Sequence, residues 1–104
     1  MPVGRRLSWA PKAEEDLITI WHYYTRVGSP EVADQVLRDI RQAATRMSEQ
    51  PFLLGRARDE ISPGLRSAQS QPYLIFYRVT EQSVEIARVV HGRRNLRAIF
   101  PDSD

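Results

Sequence analysis

The clearest pattern along the chain is a pair of apolar runs at residues 73–79 and 84–90, separated by the polar residues 80–83. Both runs are rich in β-branched and aromatic residues, which favour strands. A short polar link between two such runs is typical of a β-hairpin. Because side chains alternate along a strand, both faces of the first run are apolar. We therefore expect residues 73–79 to form a central strand. One face would carry Tyr73, Ile75, Tyr77 and Val79, and the other Leu74 and Phe76.

Before this hairpin, apolar residues recur every three or four positions, which predicts two helices. The first begins near Pro11, a residue suited to the opening turn of a helix, and ends at Gly28. The second begins at Ser29-Pro30, with Ser29 as N-cap, and runs to about Glu49 before Pro51 ends it. Two amphipathic helices joined by so short a link form an antiparallel hairpin. The apolar residues that show the helical spacing of the first helix are Ala13, Leu17, Ile20, Trp21 and Tyr24.

The remaining segments complete an α+β layout. Residues 5–9 and 65–70 predict two further strands, and residues 51–64 read as a connector with several helix and strand breakers. The predicted order is β-α-α-β-β-β, with the helical hairpin packed on one face of a small antiparallel sheet. The length of 104 residues suits a single domain over 1–104, with residues 94–104 as a partly frayed C-terminal tail.

Composition narrows the class of protein. The chain contains no cysteine, which excludes disulfides, thiolate nucleophiles and cysteine-ligated metals. No His, Asp or Glu cluster has the spacing of metal ligands, and there is no glycine-rich phosphate loop, so we expect no metal and no cofactor. No apolar run approaches the roughly 20 residues of a membrane helix, and the N-terminus lacks the apolar core of a signal peptide. We expect a cytoplasmic protein with no membrane contact.

The positive charge is concentrated in the second half of the chain. Net charge is only +2, yet fourteen of the fifteen basic residues are arginine. Up to residue 52, seven basic residues balance seven acidic ones, whereas residues 56–97 hold eight arginines against four acidic residues. Guanidinium groups bind carboxylates and phosphates through paired donors. The sheet half is therefore expected to present a basic surface, and each arginine taken alone could equally be a solvated surface residue.

Several of these segments together resemble the RelE/ParE superfamily of toxins from type II toxin–antitoxin modules. The resemblance covers residues 5–94 in order, and it is most like the ParE branch in the run Tyr-Leu-Ile-Phe-Tyr-Arg at 73–78 followed by His-Gly-Arg-Arg at 91–94. It implies the β-α-α-β-β-β layout already reached from the pattern. It also implies a bacterial protein that inhibits growth and is neutralised by a cognate ParD-like antitoxin, whose C-terminal segment wraps the helical hairpin and sheet.

For ParE members, the resemblance implies poisoning of DNA gyrase through protein contacts, without enzymatic activity and without direct sequence-specific binding of nucleic acid. We expect a basic rim after the last strand to contact the target, formed by Arg93, Arg94, Arg97 and Phe100. The antitoxin would be acidic and amphipathic, and charge reversal at Arg58 or Arg88 is expected to weaken its binding to the toxin. Its expected contacts are Trp21, Tyr24, Arg58, Arg66, Arg78 and Arg88, with Tyr23 as a further exposed aromatic residue.

The RelE branch implies a different activity, which is cleavage of mRNA in the ribosomal A site. Such cleavage needs cations for the phosphate and groups that transfer protons. Arg66, Arg78 and Arg88 lie on three successive predicted strands and could hold a phosphate, and the catalytic set would be Arg66, Arg88 and His91. His91 is also placed where a histidine often serves only as a structural hydrogen-bonding group. The tail after Arg94 has no Tyr or His, and the sheet half has no Lys, so we do not expect catalysis. A third alternative is a protein that binds its antitoxin but has no active target.

Overall fold

The computed structural model describes residues 5–94 and 99–100, which form two helices and a five-stranded sheet. The strands lie side by side in the order β1-β5-β4-β3-β2, so β4 is central as its apolar faces predicted. The elements, in chain order, are β1 (Arg6–Trp9), α1 (Pro11–Val27), α2 (Pro30–Glu49), β2 (Arg56–Ala57), β3 (Arg66–Ser70), β4 (Tyr73–Val79) and β5 (Ser83–His91). The α+β fold with a helical hairpin on the sheet is confirmed.

The two helices begin and end where local signals predicted. Ser29 caps α2, because its Oγ accepts a hydrogen bond of 3.1 Å from the Val32 N–H. Gly28 separates the helices, and its N–H donates to the Tyr24 carbonyl at 2.9 Å. The hairpin is also tied by side chains, since the Trp21 indole N–H donates to Asp34 Oδ1 at 2.9 Å. The apolar faces of both helices then pack on one side of the sheet.

Each face of β4 contributes to a separate core cluster. Tyr73, Ile75 and Tyr77 pack with the two helices, and Val79 lies at the edge of this main cluster. Leu74 and Phe76 point to the other side and pack with Ile61, Leu65 and Val90. Ile99 and Phe100 pack on this second cluster, and the Phe100 ring centroid lies 5.0 Å from that of Phe76. The predicted assignment of the two faces is confirmed, and the far face has a cover of its own.

The sheet differs from the predicted arrangement in two details. It is mixed and not wholly antiparallel, because β1 pairs with β5 in parallel, with Arg6 opposite Ser83 and Trp9 opposite Ile86. Alternation of side chains reports the faces of a strand but not its direction or its neighbour. The sheet also contains the short edge strand β2, within a segment predicted to be a connector. Two exposed residues are too few to show a strand period. Within the described ranges, no helix is long and apolar enough to cross a membrane.

Candidate partner-binding groove

A groove of about 420 Å³ lies between α1 and the end of the β4–β5 hairpin. The residues from α1 that line it recur every three or four positions, so they form one stripe of the helix. Tyr73 closes the groove from β4, and the last residues of β5 complete its wall. The lining consists of Asp16, Thr19, Ile20, Tyr23, Tyr24, Tyr73, Val89, Val90, His91 and Arg94.

Three tyrosines make the groove aromatic. The Tyr23 and Tyr24 rings meet edge to face with centroids 5.0 Å apart, and the Tyr24 and Tyr73 hydroxyl oxygens are 3.5 Å apart. Burial, helped by the hydrogen bond with Tyr24, raises the pKa of Tyr73 well above its usual value. Tyr23 is exposed, as expected, and Arg26 lies over its ring at 5.6 Å. The groove offers a mostly uncharged surface for an apolar partner face.

One wall of the groove is held by an ion pair between α1 and β5. Asp16 accepts hydrogen bonds from Arg88 Nε at 2.8 Å and Arg88 Nη2 at 2.9 Å, and a third from the Val89 N–H at 2.9 Å. The hydrogen bond from Asp16 raises the pKa of Arg88 above its ordinary value. Both side chains are largely buried, at 14% and 13% exposure. Arg88 is thus committed to holding the helix against the sheet.

Arg66 also has a structural role, at the opposite end of β4. Its guanidinium donates to the carbonyls of Pro51 at 3.1 Å and Gly55 at 3.0 Å, and Tyr77 Oη lies 3.3 Å from its Nε. The Tyr77 hydroxyl donates to the same Pro51 carbonyl at 2.6 Å. Arg66 and Tyr77 therefore fix the loop that follows α2.

The structure does not bring the sheet arginines to one phosphate site. Arg66 sits opposite Tyr77, whereas Arg78 is the next residue along β4 and points to the other face, where it donates to Ser62 Oγ at 2.8 Å. Arg58 lies on that far side too, donating to Ser67 Oγ at 2.8 Å beneath the Phe76 ring. With Arg88 bound to Asp16, these side chains serve separate contacts.

His91 lies far from Arg66. His91 pairs with Tyr73 and Arg66 with Tyr77, which are four residues apart along β4, or roughly 13 Å. His91 Nδ1 accepts a hydrogen bond of 3.2 Å from the Arg93 N–H, and its ring meets Tyr73 edge to face at 5.8 Å. The histidine therefore shapes the turn after β5.

The basic rim expected to contact the target consists of Arg93, Arg94, Arg97 and Phe100, and the structure describes three of these residues. Arg93 and Arg94 are exposed in the turn after β5, and Arg94 borders the groove. Arg97 lies outside the described residues. Phe100 is half-buried against the far side of the sheet. Trp21 and Tyr24 were both expected to contact the antitoxin. Trp21 is half-buried and bound to Asp34, whereas Tyr24 lines the groove.

Two structural features were not predicted from the sequence. The first is Asp16, which no sequence pattern singles out, because its partner Arg88 lies 72 positions away. The second is a run of exposed apolar side chains at Phe52, Leu53 and Leu54. The sequence does show three consecutive large apolar residues there, but they lie in the predicted connector and follow neither a helical nor a strand period. Among the described residues, no group of His, Cys, Asp or Glu is arranged to hold a metal ion.

The sequence of this chain matches known proteins over most of its length. Residues 7–96 match the family model described as the ParE toxin of the type II toxin–antitoxin system parDE. Toxin ParE1 of Mycobacterium tuberculosis is 38% identical over 96 residues, covering 90% of this chain and 96% of the relative. Toxin ParE3 of Caulobacter vibrioides is also 38% identical over 96 residues, covering 92% of this chain and 94% of the relative.

A solved structure shows the same fold. In the chromosomal ParDE toxin–antitoxin system from P. aeruginosa, one chain superposes with a TM-score of 0.74 at 26% identity, covering 84% of this chain and 95% of that one. The family match spans most of the sequence, including α1, the β4–β5 hairpin and the turn that carries Arg93 and Arg94. The chain therefore belongs to the ParE toxin family of type II toxin–antitoxin systems, within the RelE/ParE superfamily.

Proposed function

We propose that this toxin inhibits DNA gyrase, acts without catalysis, and is neutralised by a ParD-like antitoxin in the cytoplasm. The observation that carries the proposal is the family match over residues 7–96. The geometry supports it, because Arg66 and Arg88 are bound to protein groups and His91 lies at the other end of β4 from Arg66. A general acid and its phosphate-binding cations would need to meet around one reacting group.

The groove between α1 and the hairpin is the proposed site of the antitoxin. Its tyrosine-rich lining fits the apolar face of an amphipathic helix, and Arg94 at its border fits an acidic residue on that helix. Tyr23 and Val27 are four positions apart on α1 and both exposed, so they extend the apolar stripe beyond the groove. Arg88 would act indirectly, by holding the wall against which the antitoxin packs.

We expect Tyr23→Ser to weaken antitoxin binding about tenfold, because exposed aromatic anchors often dominate such interfaces. Titration calorimetry with the purified antitoxin measures the dissociation constant. Ile18→Ser is the matched control, since Ile18 is an exposed apolar residue of α1 that does not line the groove. Equal losses in both variants, or a loss only in Ile18→Ser, would place the antitoxin elsewhere on the hairpin.

The target contact is proposed for the turn after β5, through Arg93 and Arg94, with Arg97 and Phe100 as further expected contacts. Both described arginines are exposed, so the Arg93→Ala/Arg94→Ala variant should keep its fold. We expect it to lose most growth arrest in cells that lack the antitoxin, whereas His91→Ala should retain it. Thermal melting of each variant checks that the fold is intact.

One arrangement favours the alternative of ribosome-dependent mRNA cleavage. Arg58, His91 and Arg93 line a shared far-side cavity of about 630 Å³, where two cations and an imidazole could meet a phosphate. His91→Ala separates the two functions, because Arg93 would take part in both. If His91→Ala abolished growth arrest in a folded protein while Arg94→Ala preserved it, the nuclease alternative would replace the gyrase proposal.

A further inference from the structure

The loop that follows α2 exposes three large apolar side chains in succession. Phe52, Leu53 and Leu54 are 62%, 74% and 50% exposed, and Leu53 is the most exposed large apolar residue of the described chain. Single exposed apolar residues are common on protein surfaces, but a contiguous group marks an interaction site more often. None of the contacts proposed above uses this 52–54 loop.

The exposure is built into the fold. Arg66 donates to the Pro51 and Gly55 carbonyls on either side of the loop, and the buried Tyr77 hydroxyl donates to Pro51 as well. Within the loop, the Leu53 and Leu54 N–H groups donate to the Gln50 carbonyl at 3.1 and 3.0 Å. The backbone is thus held in one conformation that directs these side chains outward. A preorganised apolar group loses little conformational freedom when it binds a partner.

The surroundings of the loop are basic. The guanidinium groups of Arg5 and Arg66 lie over the Phe52 ring, 5.4 and 5.3 Å from its centroid. Next to Leu54, a groove of about 380 Å³ runs over β2 and β3, and its charged lining residues are Arg56 and Arg58. One carboxylate meets this lining, since Glu60 lies 3.5 Å from Arg58. An apolar knob inside a basic rim is complementary to a segment that carries both apolar and acidic side chains.

The adjoining sheet edge adds a backbone component. Among the described strands, β2 pairs with β3 alone and ends the strand order, so its outer edge can pair with an extended segment of a partner. Moreover, the loop is fixed at the Tyr77 end of β4, whereas the antitoxin groove is at the Tyr73 end, roughly 13 Å away. A helix bound in the groove and a segment bound at the loop would occupy different places.

We propose that the 52–54 loop, together with the Arg56–Arg58 groove, is a docking site for an acidic, leucine-bearing extended segment of the protein that this toxin inhibits. The inference rests on the proposed function in assuming a protein target, but it does not depend on that target being gyrase. Leu53 and Leu54 bury against the partner's apolar residues, and the exposed Arg56 pairs with one of its carboxylates. The antitoxin keeps the separate groove on α1.

The test is the double variant Leu53→Ser/Leu54→Ser, which changes two exposed side chains and should leave the melting temperature unchanged. We expect loss of growth arrest in cells lacking the antitoxin and about a tenfold higher concentration for half-inhibition of gyrase supercoiling. The dissociation constant for the purified antitoxin should change less than about twofold. Ile18→Ser/Val32→Ser removes two exposed apolar side chains from the helices and is the matched control, expected to keep full growth arrest.

A second variant tests the charge of the partner. Arg56→Glu reverses an exposed cation beside Leu54 and should raise the half-inhibitory concentration by about threefold at low salt. Raising the ionic strength should shrink this difference. An unchanged value at low salt would contradict an acidic partner segment.

Several results would overturn the proposal. Full growth arrest by the folded leucine variant would do so, as would a loss of antitoxin affinity with growth arrest retained, which would assign the loop to the antitoxin. If the wild type formed dimers that the variant converted to monomers, the occupant would be a second copy of the chain. If only the wild type bound phosphatidylglycerol vesicles, the occupant would be a membrane.

Failure of the gyrase proposal can be told apart from failure of the loop proposal. If wild-type protein arrests growth but does not inhibit gyrase, only the gyrase proposal fails, and growth arrest by the leucine variant still tests the loop. Absence of growth arrest by the wild type overturns both.

Discussion

Replacing Gly55 with alanine should lower the free energy of unfolding by about 3 kcal/mol, one of the two largest losses expected in this chain. An added Cβ would overlap the Tyr77 hydroxyl and would lie 2.8 Å from Tyr77 Cζ and 2.9 Å from the Ser67 carbonyl oxygen. Tyr77 is fully buried in the main core, so it has no space into which it can move. Its displacement would also break the buried hydrogen bond to Pro51. Chemical denaturation measures the loss.

Gly92→Ala is the matched control for this prediction. A Cβ at Gly92 would meet the Pro72 carbonyl oxygen at 3.5 Å, an ordinary contact distance. The free energy of unfolding should change by less than about 0.5 kcal/mol. Equal stabilities of Gly55→Ala and wild type would show that the loop after α2 is not held against Tyr77, and the rigid presentation of the 52–54 loop would then lose its basis.

Replacing Asp16 with alanine should cost about 3 kcal/mol, because it leaves the Arg88 guanidinium largely buried without its partner. The change also removes the acceptor of the Val89 N–H. Glu14→Ala is the control, since Glu14 meets Arg41 at 3.7 Å with both side chains about half exposed, and its loss should stay below about 0.5 kcal/mol. Thermal or urea unfolding of both variants provides the comparison.

A second substitution distinguishes the unpaired charge from other effects of the Asp16 change. Asp16→Ala/Arg88→Met removes both charges and should recover a substantial part of the lost stability. A double variant less stable than Asp16→Ala would contradict this account, because it would mean that Arg88 stabilises the fold through contacts other than Asp16. The result also bears on function, since Arg88 was expected to contact the antitoxin, whereas in the structure it holds a wall of the groove that we propose for the antitoxin.

The elements of this fold could be predicted where the determining signal is local. Ser29 and Pro30 mark the start of α2 within two residues, and alternation along 73–79 assigns each side chain to its face. The direction of β1 could not be predicted in this way, because it depends on which strand lies beside it after two intervening helices. The two-residue β2 has no period at all.

The candidate site was less predictable for a related physical reason. The excess of arginine in the second half of the chain is visible in the sequence, but the partner of each guanidinium is set by tertiary packing. Arg88 meets Asp16 across 72 positions, and Arg66 meets carbonyls of a loop that has no secondary structure signal. Exposure of Leu53 was hidden as well, because an apolar residue in a connector is equally compatible with a buried position.

The most direct test of the account is a paired assay on purified toxin that is free of antitoxin. One reaction measures DNA supercoiling and cleavage by gyrase, and the other measures mRNA cleavage on programmed ribosomes. The account predicts inhibited supercoiling with trapped cleaved DNA, intact mRNA, and full reversal when the antitoxin is added. Codon-positioned mRNA cuts with unaffected gyrase would contradict it, and would make His91 and the arginines around it the residues to examine for catalysis.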